Sequence, residues 1–152
     1  MPRPFKLQSD GTFKVSLGDH ERQLLANLAP QLVALLSDGP TDPVRRLFPT
    51  AYPSDEQLEA DYQSLVADDL LRTRLADLEA VETTAMNATL TESDLTKWMK
   101  AINGIRLVLG TQLDVSEETI APEDDDPSAP TFALYEYLGY LTENIVQVLT
   151  TH

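Results

Sequence analysis

The sequence predicts a mainly α-helical protein, a bundle of four to five helices with a small N-terminal β-hairpin. Apolar residues recur at three- and four-residue spacing over most of the chain, which is the period of a helix that buries one face. The first fifteen residues instead alternate apolar and polar side chains around an Asp-Gly pair, the pattern of a tight hairpin. A chain of 152 residues can bury a core of its own, so we expect a single domain, 1–152.

The hairpin is expected over residues 5–15, and helical segments follow at about 20–37, 43–48, 55–69, 70–87, 92–113 and 131–149. The first helix contains Pro30, which has no backbone N–H to donate. We place a boundary between two helices at residue 69 because the apolar positions change their helical phase there. The apolar stripe before Asp68 and Asp69 lies about 160° around the helix from the stripe after them, which predicts a break or a change of buried face.

The segment that follows residue 89 has the clearest helix start. Thr91 is placed as an N-cap, and acidic residues fill the first turn, where the helix dipole favours negative charge. A continuous apolar stripe then predicts the central helix of the core. By contrast, residues 114–130 are rich in acidic residues, contain three prolines and have no apolar period. They predict an exposed acidic loop.

Charge and composition restrict the function classes. The net charge is −14, and residues 51–152 carry five Lys and Arg against twenty Asp and Glu. Such a surface repels a phosphate backbone, so direct nucleic acid binding is disfavoured and a basic protein partner is favoured. The chain contains no cysteine, which excludes disulfides and thiolate ligands. Without a signal peptide or membrane segment in the pattern, we expect a cytoplasmic protein.

No catalytic or metal-binding motif is recognisable. The two histidines, His20 and His152, do not belong to a metal-ligand spacing, and no nucleophile elbow, phosphate loop or dinucleotide fingerprint is present. Asp68 and Asp69 are adjacent, and adjacent helical residues do not face each other as a catalytic carboxylate pair would. The sequence therefore predicts a non-enzymatic protein without a cofactor or metal.

Arg106 is the polar residue whose position is least expected, because it falls inside the apolar stripe of the central helix. A guanidinium there needs a partner or an interface. Glu21 and Asp69 fall inside the apolar faces of their own helices and are the candidate ion-pair partners. Two interpretations stay open: a structural ion pair that ties three helices together, or a residue held for a partner protein or ligand.

Three further side chains are candidates for partner binding or for the framework of the fold. Arg45 and Arg46 form a compact basic spot on the short helix at 43–48. The alternative interpretation is that this segment is a solvated turn. Trp98 is the third candidate, although a tryptophan in an apolar helical stripe is more often a core anchor than a binding residue.

The order and spacing of several segments resemble the actinobacterial oxidative stress regulator AosR family, formerly a domain of unknown function. These segments are the hairpin, the leucine-rich helix at 21–36, residues 42–49 with Tyr52, and the tyrosine-rich last helix. The resemblance covers nearly the whole chain and includes the central helix and the residues just before it. The matching residues there are Leu90, Thr91, Glu92, Ser93, Asp94, Trp98, Asn103, Arg106, Leu107, Leu109 and Gly110.

The resemblance implies a transcriptional regulator or co-regulator in oxidative stress that works with a sigma factor or RNA polymerase and is not an enzyme. It places Asn103 and Arg106 among the residues that contact a partner or frame the contact. Sensing through a cysteine pair does not carry over to a chain without cysteine.

Two alternatives remain at this stage. The long helices with two apolar faces, and the tyrosines of the last one, would also suit a small-molecule or lipid-binding helical bundle. The broad apolar arc of the last helix would serve either a homodimer or the closure of the monomer core.

Overall fold

The computed structural model describes residues 3–37, 54–113, 123 and 125–151. Within these ranges the chain forms three short strands and four helices. In chain order they are β1 (Phe5–Leu7), β2 (Phe13–Val15), α1 (Asp19–Ser37), α2 (Glu56–Thr84), β3 (Thr89–Leu90), α3 (Glu92–Gln112) and α4 (Ala129–Thr150). The predicted fold class, a helical bundle with an N-terminal hairpin, is confirmed. The predicted helix at 43–48 and most of the acidic loop at 114–130 lie outside the described residues.

The hairpin closes as the Asp-Gly pair predicts. β1 and β2 are antiparallel, with Phe5 opposite Val15. Gly11 has a φ of 87°, a left-handed conformation that glycine adopts without a steric penalty, and the Asp10 carboxylate accepts a hydrogen bond from the Thr12 backbone N–H at 3.0 Å. The turn is therefore fixed by local sequence chemistry.

The third strand was not predicted. β3 has only two residues, and it pairs antiparallel with β2, with Leu90 opposite Phe13 and Thr89 opposite Lys14. Two residues are too few to show the alternation that marks a strand in a sequence. The hairpin therefore extends to a three-stranded sheet of order β1-β2-β3.

The predicted break between helices 55–69 and 70–87 is wrong, because α2 runs through both without interruption. Residues 68–71 contain neither glycine nor proline, so nothing interrupts the backbone hydrogen bonds there. α2 packs against both α1 and α3. The stripe after Asp69 is buried at Leu78, whereas Leu58, in the stripe before Asp68, is 47% exposed.

The central position predicted for α3 is confirmed, since it contacts α1, α2, α4 and β3. Thr91 caps it by accepting a hydrogen bond from the Asp94 N–H at 3.1 Å. Trp98 is fully buried. Its ring meets Phe5 edge to face at a centroid distance of 6.0 Å, and its Nε1 donates to Thr84 Oγ1 at 2.7 Å. Trp98 is thus the core anchor that joins the sheet, α2 and α3.

Arg22 connects three elements through backbone carbonyl groups. Its side chain is 9% exposed. Nε donates to the Leu17 carbonyl at 3.1 Å, Nη2 to Val15 at 3.0 Å, and Nη1 to Ala85 at 3.0 Å and to Asn87 at 2.6 Å. The last carbonyls of a helix have no partner within it and carry the negative end of its dipole. The guanidinium therefore satisfies the end of α2 while holding it against the end of β2 and the start of α1.

We expect Arg22→Met to lower the free energy of unfolding by about 3 kcal/mol or more, because four backbone carbonyl groups, three of them at buried bonds, would lose a charged donor. Urea unfolding followed by circular dichroism measures this. Arg72→Met is the matched control, since the Arg72 side chain is 80% exposed and a surface change of this kind costs less than about 0.5 kcal/mol. Equal losses in the two variants would contradict the role given to Arg22.

Candidate functional site

Arg106 links α3 to α4 through an aromatic contact. Its Nη2 donates to the Tyr135 hydroxyl at 3.2 Å, and its guanidinium carbon lies 4.8 Å from the centroid of the Tyr135 ring. This is cation–π geometry. Gly139 allows the close approach, because a Cβ at that position would lie 3.1 Å from Arg106 Nε. That nitrogen is buried and has no hydrogen-bond acceptor.

The predicted ion pairs of Arg106 with Glu21 or Asp69 are wrong. Glu21 accepts a hydrogen bond from the Tyr137 hydroxyl, and Asp69 lies 3.8 Å from Arg72 on the same helix, with both side chains largely exposed. Helical phase identifies the face on which a residue lies. It does not give the height at which neighbouring helices cross, and that height decides which side chains meet.

The bond between Tyr137 and Glu21 joins α4 to α1. Burial, together with the adjacent Glu21 carboxylate, raises the pKa of the Tyr137 hydroxyl, because a phenolate would lose solvation and face a like charge. Tyr137 therefore remains a hydrogen-bond donor at physiological pH. The bond is a tie between helices.

The remaining predicted residues divide between the core and the undescribed part of the chain. Trp98 lies in the core, as described above. Asn103 is half-buried on α3, and it precedes Arg106 by three residues, so the two share one side of the helix. Arg45 and Arg46 lie outside the described residues.

A polar groove lies between α2 and the first half of α3. Its volume is about 710 Å³. It is lined by Arg72, Thr73, Ala76, Asp77, Glu92, Ser93, Thr96, Lys97 and Lys100. A second hollow of about 400 Å³ shares Thr73, Asp77 and Lys100 with it and adds Asp69, Leu70 and Arg74. We refer to the two together as the α2–α3 groove.

Positive charge is concentrated in the α2–α3 groove. Arg72 and Arg74 reach it from α2, and Lys97 and Lys100 reach it from α3. Residues 51–152 contain only five Lys and Arg, and four of them are these side chains. The same lining carries three carboxylates, Asp69, Asp77 and Glu92, so its charges nearly balance, whereas the rest of residues 51–152 carries one cation against seventeen acids. The groove therefore gathers most of the cations of the acidic part of the chain.

Asp77 lies against the cations of the α2–α3 groove and is 4% exposed. Its Oδ2 is buried without a hydrogen-bond partner. Burial raises the pKa of the Asp77 carboxyl, against the attraction of Lys100, Arg74 and Lys97, none of which forms an ion pair with it. An unpartnered buried carboxylate costs free energy, and such groups concentrate at functional sites. The α2–α3 groove is therefore the candidate site.

Among the residues of this groove, Asp69 was predicted as an ion-pair partner, and Glu92 and Ser93 belong to the family resemblance, but none of the four cations was predicted. The two arginines and the two lysines lie about 25 residues apart in the chain, and only the pairing of α2 with α3 brings them together. A usable signal did exist, because nearly all the basic residues of the acidic region fall in two short segments, 72–74 and 97–100.

Two other hollows are less developed. The outer face of the hairpin carries one of about 540 Å³ lined by Arg3, Lys6, Lys14 and Ser16, and the exposed Lys6 and Lys14 are cross-strand neighbours. A small apolar hollow of about 80 Å³ lies between α1 and α3, against Leu32 and Ile105. Neither is lined by a buried polar group without a partner.

The described ranges contain neither a metal-binding cluster nor a membrane-spanning helix. In those ranges no three His, Cys, Asp or Glu side chains are grouped closely enough to hold a metal ion. None of the helices described has the length and apolar character needed to cross a membrane.

We expect Asp77→Asn to stabilise the protein at about pH 7, by on the order of 1 kcal/mol, because the amide keeps the shape and removes the buried charge. A carboxyl whose pKa is raised in the folded state stabilises the fold when protonated and loses that contribution as the pH rises. The gain of the variant should therefore shrink towards about pH 4, near the pKa of an unfolded aspartate.

Thermal unfolding of wild type and variant across this pH range provides the measurement. Asp69→Asn, the same change at an exposed carboxylate of the groove, is the control and should alter stability by less than about 0.5 kcal/mol. A destabilised Asp77→Asn protein at neutral pH would show that the Asp77 charge is favourably paired.

We expect Arg106→Ala to lower the free energy of unfolding by about 1–2 kcal/mol, through loss of the packing and cation–π contact with Tyr135. Tyr135→Phe, which removes only the hydroxyl acceptor, should cost about 0.5–1 kcal/mol. Chemical unfolding measures both. Unchanged stability of Arg106→Ala together with lost partner binding would assign Arg106 to an interface instead.

Comparison with known proteins assigns the chain to a family. The family model described as Domain of unknown function (DUF2017) matches residues 2–149. The proteins named oxidative stress regulator AosR of Mycobacterium tuberculosis and Mycobacterium bovis are 31% identical to this chain, over 90% of its length and 82% of theirs. A putative oxidative stress regulator AosR of Mycobacterium leprae is 27% identical over the same shares. No solved structure matches. The protein belongs to the DUF2017 family and is a homologue of the mycobacterial oxidative stress regulators AosR.

Proposed function

We propose that this protein is a non-enzymatic interaction module that regulates the response to oxidative stress, as a transcriptional co-regulator that contacts a sigma factor or RNA polymerase. The observation that carries the proposal is the similarity to proteins named oxidative stress regulators, which extends over 90% of this chain and 82% of theirs. Similarity to the family also extends over residues 2–149, which contain all the described strands and helices apart from the last residue of α4. It is therefore not limited to one segment that unrelated proteins could share.

The distribution of charge supports a protein partner. The net charge of −14 gives an acidic surface that attracts basic regions of another protein and speeds the encounter with it. The same charge opposes direct contact with DNA, whose phosphates bind proteins mainly through Lys and Arg. In this proposal the protein acts on transcription by contacting a protein.

The signal reaches this protein indirectly in our proposal. With no cysteine, it has no thiol that an oxidant could convert to a disulfide or sulfenic acid. Among the methionines, Met86 is exposed and Met99 packs against the core. We propose that a partner, or a change in the abundance of this protein, reports the oxidant.

The rival function, a small-molecule or lipid-binding bundle, has weaker support. The apolar hollow between α1 and α3 is about 80 Å³, whereas pockets for drug-sized ligands hold about 300–1,000 Å³. The α2–α3 groove has enough volume, about 710 Å³, but charged side chains line it rather than the apolar and aromatic ones typical of such pockets. Native mass spectrometry of the purified protein discriminates the two functions, since a retained small molecule would favour the rival.

Affinity capture from a lysate of the native organism, at about 50 mM and about 200 mM salt, tests the proposal. We expect a sigma factor or an RNA polymerase subunit to be enriched, and the enrichment to fall at the higher salt because the attraction is electrostatic. Peroxide treatment of the purified protein alone should leave the capture unchanged.

Beads that carry an unrelated acidic protein of similar size and charge are the control. Recovery of the same components on both kinds of beads, or of no transcription component on either, would contradict the proposal. Capture that depends on peroxide treatment of this protein alone would refute the indirect signal.

A further inference from the structure

The α2–α3 groove combines two properties that the fold alone does not require. It collects four cations in the acidic region of the chain, and it contains the buried Asp77, whose Oδ2 has no partner. We propose that the groove binds an acidic segment, rich in Asp or Glu, of a partner protein. This inference rests on the proposed function and names the chemistry of one partner contact.

The cations of the groove are available to a ligand. Arg72 and Lys100 are exposed, and Arg74 and Lys97 are half-buried. Of the four, Arg72 has a carboxylate partner, Asp69, at 3.8 Å. An exposed pair of this kind contributes little stability, so a carboxylate of the ligand can replace Asp69 at small cost.

The length of the groove suits a peptide segment. On α2 it extends from Asp69 to Asp77, which corresponds to about 12 Å along a helix axis. An extended chain covers this distance with roughly four residues. A single small anion would meet only one or two of the cations, whereas an acidic segment can place carboxylates against all four.

The same groove is poorly suited to a nucleic acid. Glu92 and Asp69 lie among its lining residues, and the rest of the chain is strongly acidic. A phosphate backbone carries charge at every nucleotide, so it would bring phosphates against these carboxylates. A peptide can place neutral residues opposite Glu92 and Asp69 and acidic ones opposite the lysines.

Binding of the acidic segment is linked to protonation of the Asp77 carboxyl. The charged groups that face it are Arg74 from its own helix and Lys97 and Lys100 from α3. A bound carboxylate would place another negative charge near Asp77, which favours its protonation. Binding of the acidic segment should therefore strengthen as the pH falls, until the ligand carboxylates themselves are protonated.

The experiment uses the full chain and a fluorescein-labelled peptide of alternating Glu and Ser, with binding followed by fluorescence anisotropy. We expect Lys97→Gln/Lys100→Gln to weaken binding about tenfold, which corresponds to the loss of two modest charge contacts. Lys6→Gln/Lys14→Gln makes the same change of charge on the hairpin and should leave the affinity within about twofold. Thermal unfolding verifies that both variants are folded.

Asp77→Asn provides an independent arm, because it should increase binding. Removal of the negative charge from the groove should tighten binding at neutral pH by about threefold to tenfold. It should also remove the part of the pH dependence that comes from Asp77, so that the affinity of the variant follows only the ionisation of the peptide Glu side chains, near about pH 4.3. Tighter binding cannot result from a damaged fold.

Three results would overturn the inference: no binding of the peptide by wild type, equal weakening in the two lysine variants, or tighter groove-dependent binding of a labelled DNA duplex than of the peptide. Affinity capture with Lys97→Gln/Lys100→Gln separates this inference from the proposed function. If the variant recovers transcription components as wild type does, the function stands and the groove is not the contact. If wild type recovers none while the peptide still binds the groove, the proposed function fails and the groove remains an acidic-peptide site.

Discussion

The fold depends on one buried guanidinium. Arg22 holds the carbonyl groups of Val15, Ala85 and Asn87, and so fixes the end of α2 against the sheet. The Val15 N–H adds a hydrogen bond to the Ala88 carbonyl at 2.9 Å. After α2 ends, only a few residues are left in which the chain pairs with β2 as β3 and then begins α3. This sets the alignment of α3 along α2, and that alignment brings Lys97 and Lys100 to Asp77.

Among the described arginines, two with buried guanidinium nitrogens, Arg22 and Arg106, have no carboxylate partner, although the chain has 25 acidic residues. Arg22 donates to carbonyl groups, and Arg106 contacts the ring and hydroxyl of Tyr135. A buried ion pair desolvates two charges, and their attraction often fails to compensate for that cost. Carbonyl groups at a helix end offer partial negative charge without a second ion to desolvate. Of the acidic side chains whose burial is described, Asp77 is buried and the others lie at least partly at the surface, where they give the protein its negative field.

The sequence predicts what depends on neighbours in the chain. The Asp10-Gly11 turn, the Thr91 cap and the apolar stripe of α3 are local patterns, and all three were predicted. The continuity of α2 was missed, because two stripes of different phase resemble two helices when the partners of the helix are unknown. Arg22 was missed despite a signal: it precedes Leu25 by three residues and Ala29 by seven, so it falls in the buried stripe of α1. The α2–α3 groove depends on how two helices align, which no local pattern records.

Packing of the core does not explain why an aspartate occupies position 77, at the border between the core and the α2–α3 groove. An apolar residue at this position would bury the same surface without the cost of an unpartnered carboxylate, so packing alone does not account for it. In a groove with four cations, a carboxylate between them lowers the affinity for free anions and leaves the cations accessible. A ligand that supplies several carboxylates at once can overcome that competition, because its contacts add within one molecule. Selection for a multivalent acidic segment over single anions is therefore a direct consequence of the position of Asp77.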